Sequence, residues 1–283
     1  MSLFNTHLNF IIQGKNNREI LADVRIPESK KPLPVVIFSH GFKGFKDWGP
    51  FNIVARLFAE AGFAFVKFNF SFNGTTFEEP LEFADLEAFG NNNFTRELDD
   101  LEQVIDWLAN DNSLFDVDLK RIYLLGHSRG GGISILKASE DPRIAAVATW
   151  AAVADFSRFI TGQDIENWKK TGVHFIENTR TGQMMPLYLQ LYYDFMENQE
   201  RLHIKEAVTR MNKPLLLVHG TEDDTVALNH AIELLGQNPA KARLVTVEGG
   251  DHAFGAAHPF ILEELPPLFQ HVVEESIRFF NSK

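Results

Sequence analysis

The stretch Arg121–Ala138, RIYLLGHSRGGGISILKA, passes from an apolar strand pattern into a helical one and sets a serine at the junction. Gly126 stands two residues before Ser128, and Gly130, Gly131 and Gly132 follow it. Glycine within a strand or helix is destabilising by roughly 0.5–1 kcal/mol relative to alanine, so four at one junction answer a geometric need. Gly126 allows a sharp turn where the strand ends, and Gly130 allows the next helix to lie close to the sheet. Ser128 is therefore expected at the tip of a strained strand-to-helix turn, its hydroxyl at a helix N-terminus. The pattern G-H-S-R-G is short enough to arise by chance. Its setting between strand and helix is what marks it as a nucleophile elbow.

A serine hydroxyl attacks a carbonyl at neutral pH only with a base beside it, and the base needs an orienting acid. Two later strand ends offer them. LLLVHGTEDDTV, residues 215–226, leaves its strand into a loop with Asp223 and Asp224, and LVTVEGGDHAFG, residues 244–255, leaves the next into a loop with His252. His252 directly follows a strand, whereas His230 and His271 lie in helical patterns and His258 precedes Pro259. Asp223, nearer the strand end, is the expected acid, with Asp224 as the alternative. Asp251 reads as turn chemistry. Oxyanion donors are expected from the backbone N–H groups of Phe42, in the loop SHGFKG, and of Arg129. His40 and His219 each precede a glycine at a strand end and read as loop-bracing hydrogen-bonders.

Outward from this centre, apolar strand runs alternate with amphipathic helical runs. HLNFII and EILADVRI form a hairpin pattern, and PVVIFSHG, FAFVKFNF, RIYLLG, IAAVATWAA, PLLLVHG and ARLVTVEGG follow as strands with helical segments between them. Such alternation predicts an α/β fold: a mainly parallel sheet covered by helices on both faces and led by an N-terminal antiparallel hairpin. Ligands on such sheets gather beyond the carboxyl ends of the strands. Residues 154–211 interrupt the alternation for longer than an ordinary connection and are expected to form an inserted helical cap, with PLYLQLYYDFMENQ as helix. Residues 1–153 and 212–283 then make the core. Met184, Met185 and Leu187, with neighbouring aromatic side chains, are the expected wall of a largely apolar substrate pocket.

The 283 residues are 45% apolar and 23% charged, a globular composition, and no run approaches the length needed to span a bilayer. Against 27 basic residues stand 38 acidic ones, a formal charge of −11 that disfavours nucleic acid and anionic lipid as partners. The cluster Glu78, Glu79, Glu82, Asp85 and Glu87 reads as a solvated face. The absence of cysteine excludes disulfides, zinc–thiolate sites and a cysteine nucleophile. The N-terminal residues carry no signal-peptide pattern, and a cytoplasmic location is expected.

Taken together, FSHGF, ELDDLEQVIDWL, GHSRGG, HGTEDDTV and GGDHAFG resemble the serine esterases of the α/β-hydrolase superfamily, most nearly the cinnamoyl or feruloyl esterase and dienelactone-hydrolase-like branch. The match runs over nearly the whole chain. The resemblance implies an α/β-hydrolase fold and hydrolysis of a small-molecule carboxylic ester by Ser128, His252 and Asp223, without metal or other cofactor. Dienelactone hydrolase itself uses a cysteine where Ser128 stands. Prolyl-oligopeptidase-like peptidases share these motifs but carry a large domain ahead of the core, whereas fewer than about forty residues precede PVVIFSHG here. Peptide or amide hydrolysis and acyl transfer are the enzymatic alternatives on the same residues, and a binding protein without turnover is the alternative of another class.

Overall fold

The alternating pattern is realised in a computed structural model that describes residues 4–160 and 164–283. Residues 1–3 of the expected core and 161–163 of the expected cap lie outside the described residues. Strands β1 (Phe4–Gln13) and β2 (Glu19–Pro27) form the antiparallel hairpin, and β3 (Leu33–Ser39), helix α1 (Phe51–Glu60) and β4 (Ala64–Phe68) begin the repeating part. Helices α2 (Leu86–Gly90) and α3 (Phe94–Asp106) precede β5 (Val117–His127), α4 (Arg129–Glu140) and β6 (Ile144–Trp150). The inserted segment holds α5 (Ile165–Thr171), β7 (Val173–Asn178), β8 (Gln183–Tyr188), α6 (Gln190–Glu197) and α7 (Ile204–Arg210). The core closes with β9 (Leu215–Gly220), α8 (Asn229–Gln237), β10 (Ala242–Val247) and α9 (Pro267–Asn281).

Among the described residues eight strands form one sheet in the order β1-β2-β4-β3-β5-β6-β9-β10. The strands from β4 to β10 in that order are parallel, and β2 meets β4 antiparallel. Alternation along β3 shows why its run is apolar throughout. Val35 and Ile37 face a layer containing Leu98 and Leu101 of α3 and Ile133 of α4, while Val36 and Phe38 face one containing Phe58 of α1 and Val272 and Phe280 of α9. A strand buried on both sides has no solvated face on which to place polar residues. Helix α3 shows the complementary pattern, burying Leu98, Leu101, Val104 and Ile105 on one stripe. The Asn93 side chain caps it by accepting from Arg96 N–H at 2.9 Å.

Because β3, β5, β9 and β10 run the same way, the loops carrying Phe42, Ser128, Asp223 and His252 emerge at one edge of the sheet. The inserted segment adds a second, two-stranded sheet in which β7 pairs antiparallel with β8, Phe175 opposite Pro186. The helical reading of residues 186–199 is therefore corrected: the chain is a strand through Tyr188 and helical from Gln190. Proline is tolerated in β8 because a two-stranded ribbon leaves each strand an unpaired edge. No described helix is long and apolar enough to cross a membrane.

Candidate active site

Ser128 has φ 55° and ψ −119°, a backbone conformation that L side chains rarely adopt, and it sits immediately before α4. Ser128 N–H donates to the Trp150 carbonyl at 2.8 Å, and the Ser128 carbonyl accepts from Gly131 N–H at 3.0 Å. The turn exists only because its flanks are glycine. A Cβ on Gly126 would lie 2.3 Å from the Gly130 carbonyl oxygen, and one on Gly130 would lie 2.3 Å from that of His40. Larger residues would push α4 off the strands and lower the serine from its perch.

His252 Nε2 lies 3.0 Å from Ser128 Oγ, and His252 Nδ1 lies 2.8 Å from Asp223 Oδ2. The second Asp223 oxygen accepts from the N–H groups of Thr225 at 2.9 Å and Val226 at 2.7 Å. Burial alone would raise the Asp223 pKa, but hydrogen bonds from His219, His252 and Val226 N–H hold the carboxyl well below the usual carboxylate range. A carboxylate so fixed turns the imidazole with Nδ1–H toward it and leaves the Nε2 lone pair facing the Ser128 hydroxyl. Asp224 is exposed and takes no part, and Asp251 closes a turn by accepting from Ala253 and Gly255 N–H.

Three other histidines hold the surrounding loops. His40 Nδ1–H donates to the Gly41 carbonyl at 2.8 Å while Nε2 accepts from Phe70 N–H at 3.3 Å, and His219 Nε2–H donates to the Val226 carbonyl at 2.7 Å. His127, within the GHSRGG motif, donates from Nε2 to the His252 carbonyl at 3.0 Å and so pins the loop that carries His252. Burial lowers the pKa of His40 to about 4 and of His127 to about 3, so both rings are neutral around pH 7.

Phe42 and Arg129 flank the serine, and among the described residues neither backbone N–H donates to a backbone carbonyl. The Arg129 side chain is buried. Its Nε donates to Glu97 Oε2 at 2.9 Å, and its guanidinium carbon lies 4.4 Å from the ring centre of Phe94, 5.1 Å from that of Phe42 and 5.2 Å from that of Phe159. One cation thus ties the residue after Ser128 to α3 and to the ring of Phe42. Glu97 lies on α3, and its partner stands 32 residues further along the chain.

These groups open into a cleft of about 630 Å³. Its walls include Phe42, Trp48, Phe51, Phe159, Ile176 and Val226, together with the polar side chains of Lys43, Arg158, Asn178 and Arg180. The inserted segment therefore does line the cleft, through Arg158, Phe159 and β7. Met184, Met185 and Leu187 do not, which corrects the expected pocket wall. Met185 and Leu187 point from β8 into the core, at 0% and 4% exposure, and Met184 points the other way at 51%. Ile176, opposite Met185 in the register, supplies the apolar contact instead. A second hollow of about 430 Å³, between the β1–β2 hairpin and residues 69–78, contains none of the catalytic candidates.

A serine raised at the end of β5 in a sheet of this order is the framework of the α/β-hydrolase fold, and the class it defines is the serine hydrolases. Residues 50–269 match the prolyl oligopeptidase family, and the chain belongs to that family. The short stretch ahead of the core does not set it apart from those peptidases, as the sequence reading had it. The chain is 29% identical over 164 residues to an uncharacterised 31.7 kDa protein in the traX-finO intergenic region of Escherichia coli, covering 54% of this chain and 49% of that protein. It is 25% identical over 232 residues to 2,6-dihydropseudooxynicotine hydrolase of Paenarthrobacter nicotinovorans, covering 81% and 55%. The chain thus spans about half the length of the curated relatives it matches. Est1E of Butyrivibrio proteoclasticus, solved with ferulic acid bound, has 20% identity and a TM-score of 0.73 over 97% of this chain and 100% of that one. Dienelactone hydrolase of Anabaena variabilis has 17% identity and a TM-score of 0.64 over 99% and 98%. At these identities the structural likeness is one of fold.

Proposed function

We propose that the chain hydrolyses carboxylic esters through an acyl-enzyme on Ser128. The observation that carries the reading is the continuous hydrogen-bonded run from Ser128 Oγ through the His252 ring to the buried Asp223 carboxylate. His252 Nε2 takes the hydroxyl proton as Ser128 Oγ attacks the carbonyl carbon, and Asp223 stabilises the imidazolium. Phe42 and Arg129 N–H groups hold the oxyanion. The imidazolium then protonates the leaving alkoxide, and water, deprotonated by the same ring, releases the acid. The apolar walls of Trp48, Phe51, Phe159 and Ile176 favour an acyl group with apolar or aromatic bulk.

Membership in a family named for oligopeptidases supports amide hydrolysis as the second reading, since the same residues serve both bonds. Labelling with a fluorophosphonate, followed by turnover of 4-nitrophenyl esters, hydroxycinnamate esters and aminoacyl anilides, tests the assignment. The expected result is modification at Ser128 and faster turnover of esters than of anilides. An unlabelled Ser128 in folded protein would remove the mechanism, and faster anilide turnover would transfer the assignment to the peptidases.

A further inference from the structure

The cleft runs against the charge of the chain. The whole sequence carries a formal charge of −11, yet the charged side chains lining the cleft are Lys43, Arg158 and Arg180, with no Asp or Glu among its described lining residues. Asp223 stands behind His252 with its side chain fully covered. Arg180 has a partner in the exposed Glu82, 3.3 Å away. Lys43 and Arg158 have none: among the described residues neither lies within ion-pair distance of a carboxylate. Arg158 Nη2 donates to the Thr225 carbonyl at 2.5 Å, while Nη1 is shielded from solvent without a hydrogen-bond partner among the described residues. Lys43 Nζ donates only to the Glu177 carbonyl at 3.1 Å. Lys43 is also held at φ 56°, which is unusual for a residue other than glycine.

Partial burial lowers the pKa of both groups, a sign that each is held in an environment poorly suited to positive charge. Half-buried cations without a contacting carboxylate, offset only at longer range by Glu177 for Lys43 and by Asp223 for Arg158, leave the cleft positive. An anion arriving with the substrate would relieve the imbalance. A carboxylate fits, because a guanidinium hydrogen bond to it is charge-assisted and an ammonium lining the same cleft adds point charge.

We propose that the cleft selects esters bearing a second, ionised carboxylate that binds between Arg158 and Lys43 while Ser128 attacks the ester carbonyl. The inference rests on the ester-hydrolase reading and narrows it: the substrate is a half-ester of an apolar-chained dicarboxylic acid rather than a neutral ester. The carboxylate is a spectator, so the bonds broken and formed are those of ordinary ester hydrolysis.

The test compares the 4-nitrophenyl half-esters of adipic and suberic acid with matching esters whose free carboxylate is a carboxamide. The expected kcat/KM ratio, acid over amide, is at least about tenfold for one chain length, as loss of a hydrogen-bonded charge partner implies. That ratio should shrink with added salt. It should fall toward unity in Arg158→Gln and in Lys43→Gln, the second variant serving if the first does not fold. A ratio of one or less at both chain lengths, or a ratio unmoved by either substitution, overturns the inference while leaving ester hydrolysis intact. Absence of turnover together with absence of fluorophosphonate labelling instead removes the underlying reading. Calorimetry of Ser128→Ala with suberate and with its diamide then decides the anion site. Tighter binding of suberate upholds it, and equal or undetectable binding overturns it.

Discussion

At the scale of single residues, two adjacent aspartates follow β9 and only one of them meets His252, so the environment tells them apart. Asp223 is buried and accepts from His252 Nδ1–H and from the N–H groups of Thr225 and Val226, whereas Asp224 is exposed. Asp223→Asn should lower ester kcat on the order of 10⁴-fold by reversing the donor that faces His252 Nδ1, and Asp224→Asn should change it little; steady-state kinetics on both variants checks the ranking. That Ser128, Asp223 and His252 would meet at one edge of the sheet was legible in the sequence because each follows a strand end marked by glycine or turn residues. The neighbours that tune them were not, since Glu97 meets Arg129 and Arg158 meets Thr225 across separations of 32 and 67 residues. The Glu97–Arg129 pair carries its own expectation. Removing one member leaves the other buried and uncompensated, so Glu97→Gln should reduce stability by about 3 kcal/mol in urea unfolding. The double change Glu97→Gln with Arg129→Gln should recover part of that loss. Additive losses would show that the two side chains do not interact in the fold.

At the scale of elements, the inserted segment is both a wall of the cleft and a buttress of the core. Asp194 of α6 reaches across to the start of α3, where its Oδ2 accepts from Phe94 N–H at 3.1 Å and Thr95 N–H at 3.3 Å. A carboxylate at a helix N-terminus is stabilising there. Gln190 and Tyr188 make further hydrogen bonds to Asn93 and Glu87. The β7–β8 ribbon was not legible, because its strands are defined by pairing with each other rather than by an alternating pattern in either one. QMMPLY runs straight into the amphipathic LQLYYDFME, so local periodicity carried the helix too far back. The register then decides which side chains reach substrate. Ile176→Ala should lower kcat/KM for long or aromatic acyl esters by about tenfold relative to acetate esters, since it trims an apolar wall. Met184→Ala should leave that ratio unchanged, its side chain pointing away. A fall with Met184→Ala and none with Ile176→Ala would reverse the assignment of the two strands.

At the scale of the whole molecule, the mainly parallel sheet, its leading hairpin and the edge at which the candidate site forms were legible, because strands apolar on both faces and separated by helices have few ways to assemble, whereas the order of the strands in the sheet was not read from the sequence. The fate of charges inside that assembly was not. DDLEQ in α3 gives no sign that Asp99 is partly exposed and paired with Lys15 while Asp100 lies buried at 3% exposure. Asp100 accepts from Ser71 N–H at 2.7 Å and from Ser71 Oγ at 2.9 Å. Burial raises its pKa to about 7, with the nearby carboxylates of Glu97 and Asp99 adding to the rise and the Ser71 hydrogen bonds opposing it. In an unfolded chain an aspartate titrates near about 3.9, so between about pH 4 and pH 7 the folded state holds a proton that the unfolded state has released. The stability linked to that proton is therefore fully present below the unfolded value and is lost as pH rises through about 7. Asp223 works in the opposite sense, since its lowered pKa contributes stability that is lost only as pH falls into the carboxylate range. The two contributions are separated by substituting Asp100 alone. Asparagine keeps an acceptor for Ser71 N–H and cannot ionise, so the stability of wild type relative to Asp100→Asn should decline from about pH 5 to about pH 7 and level off above, with a slope of at most about 1.4 kcal/mol per pH unit. Urea unfolding of both proteins across that range measures the difference directly. Parallel curves would mean that Asp100 is ionised in the fold and that the sheet–helix interface around α3 accommodates its charge.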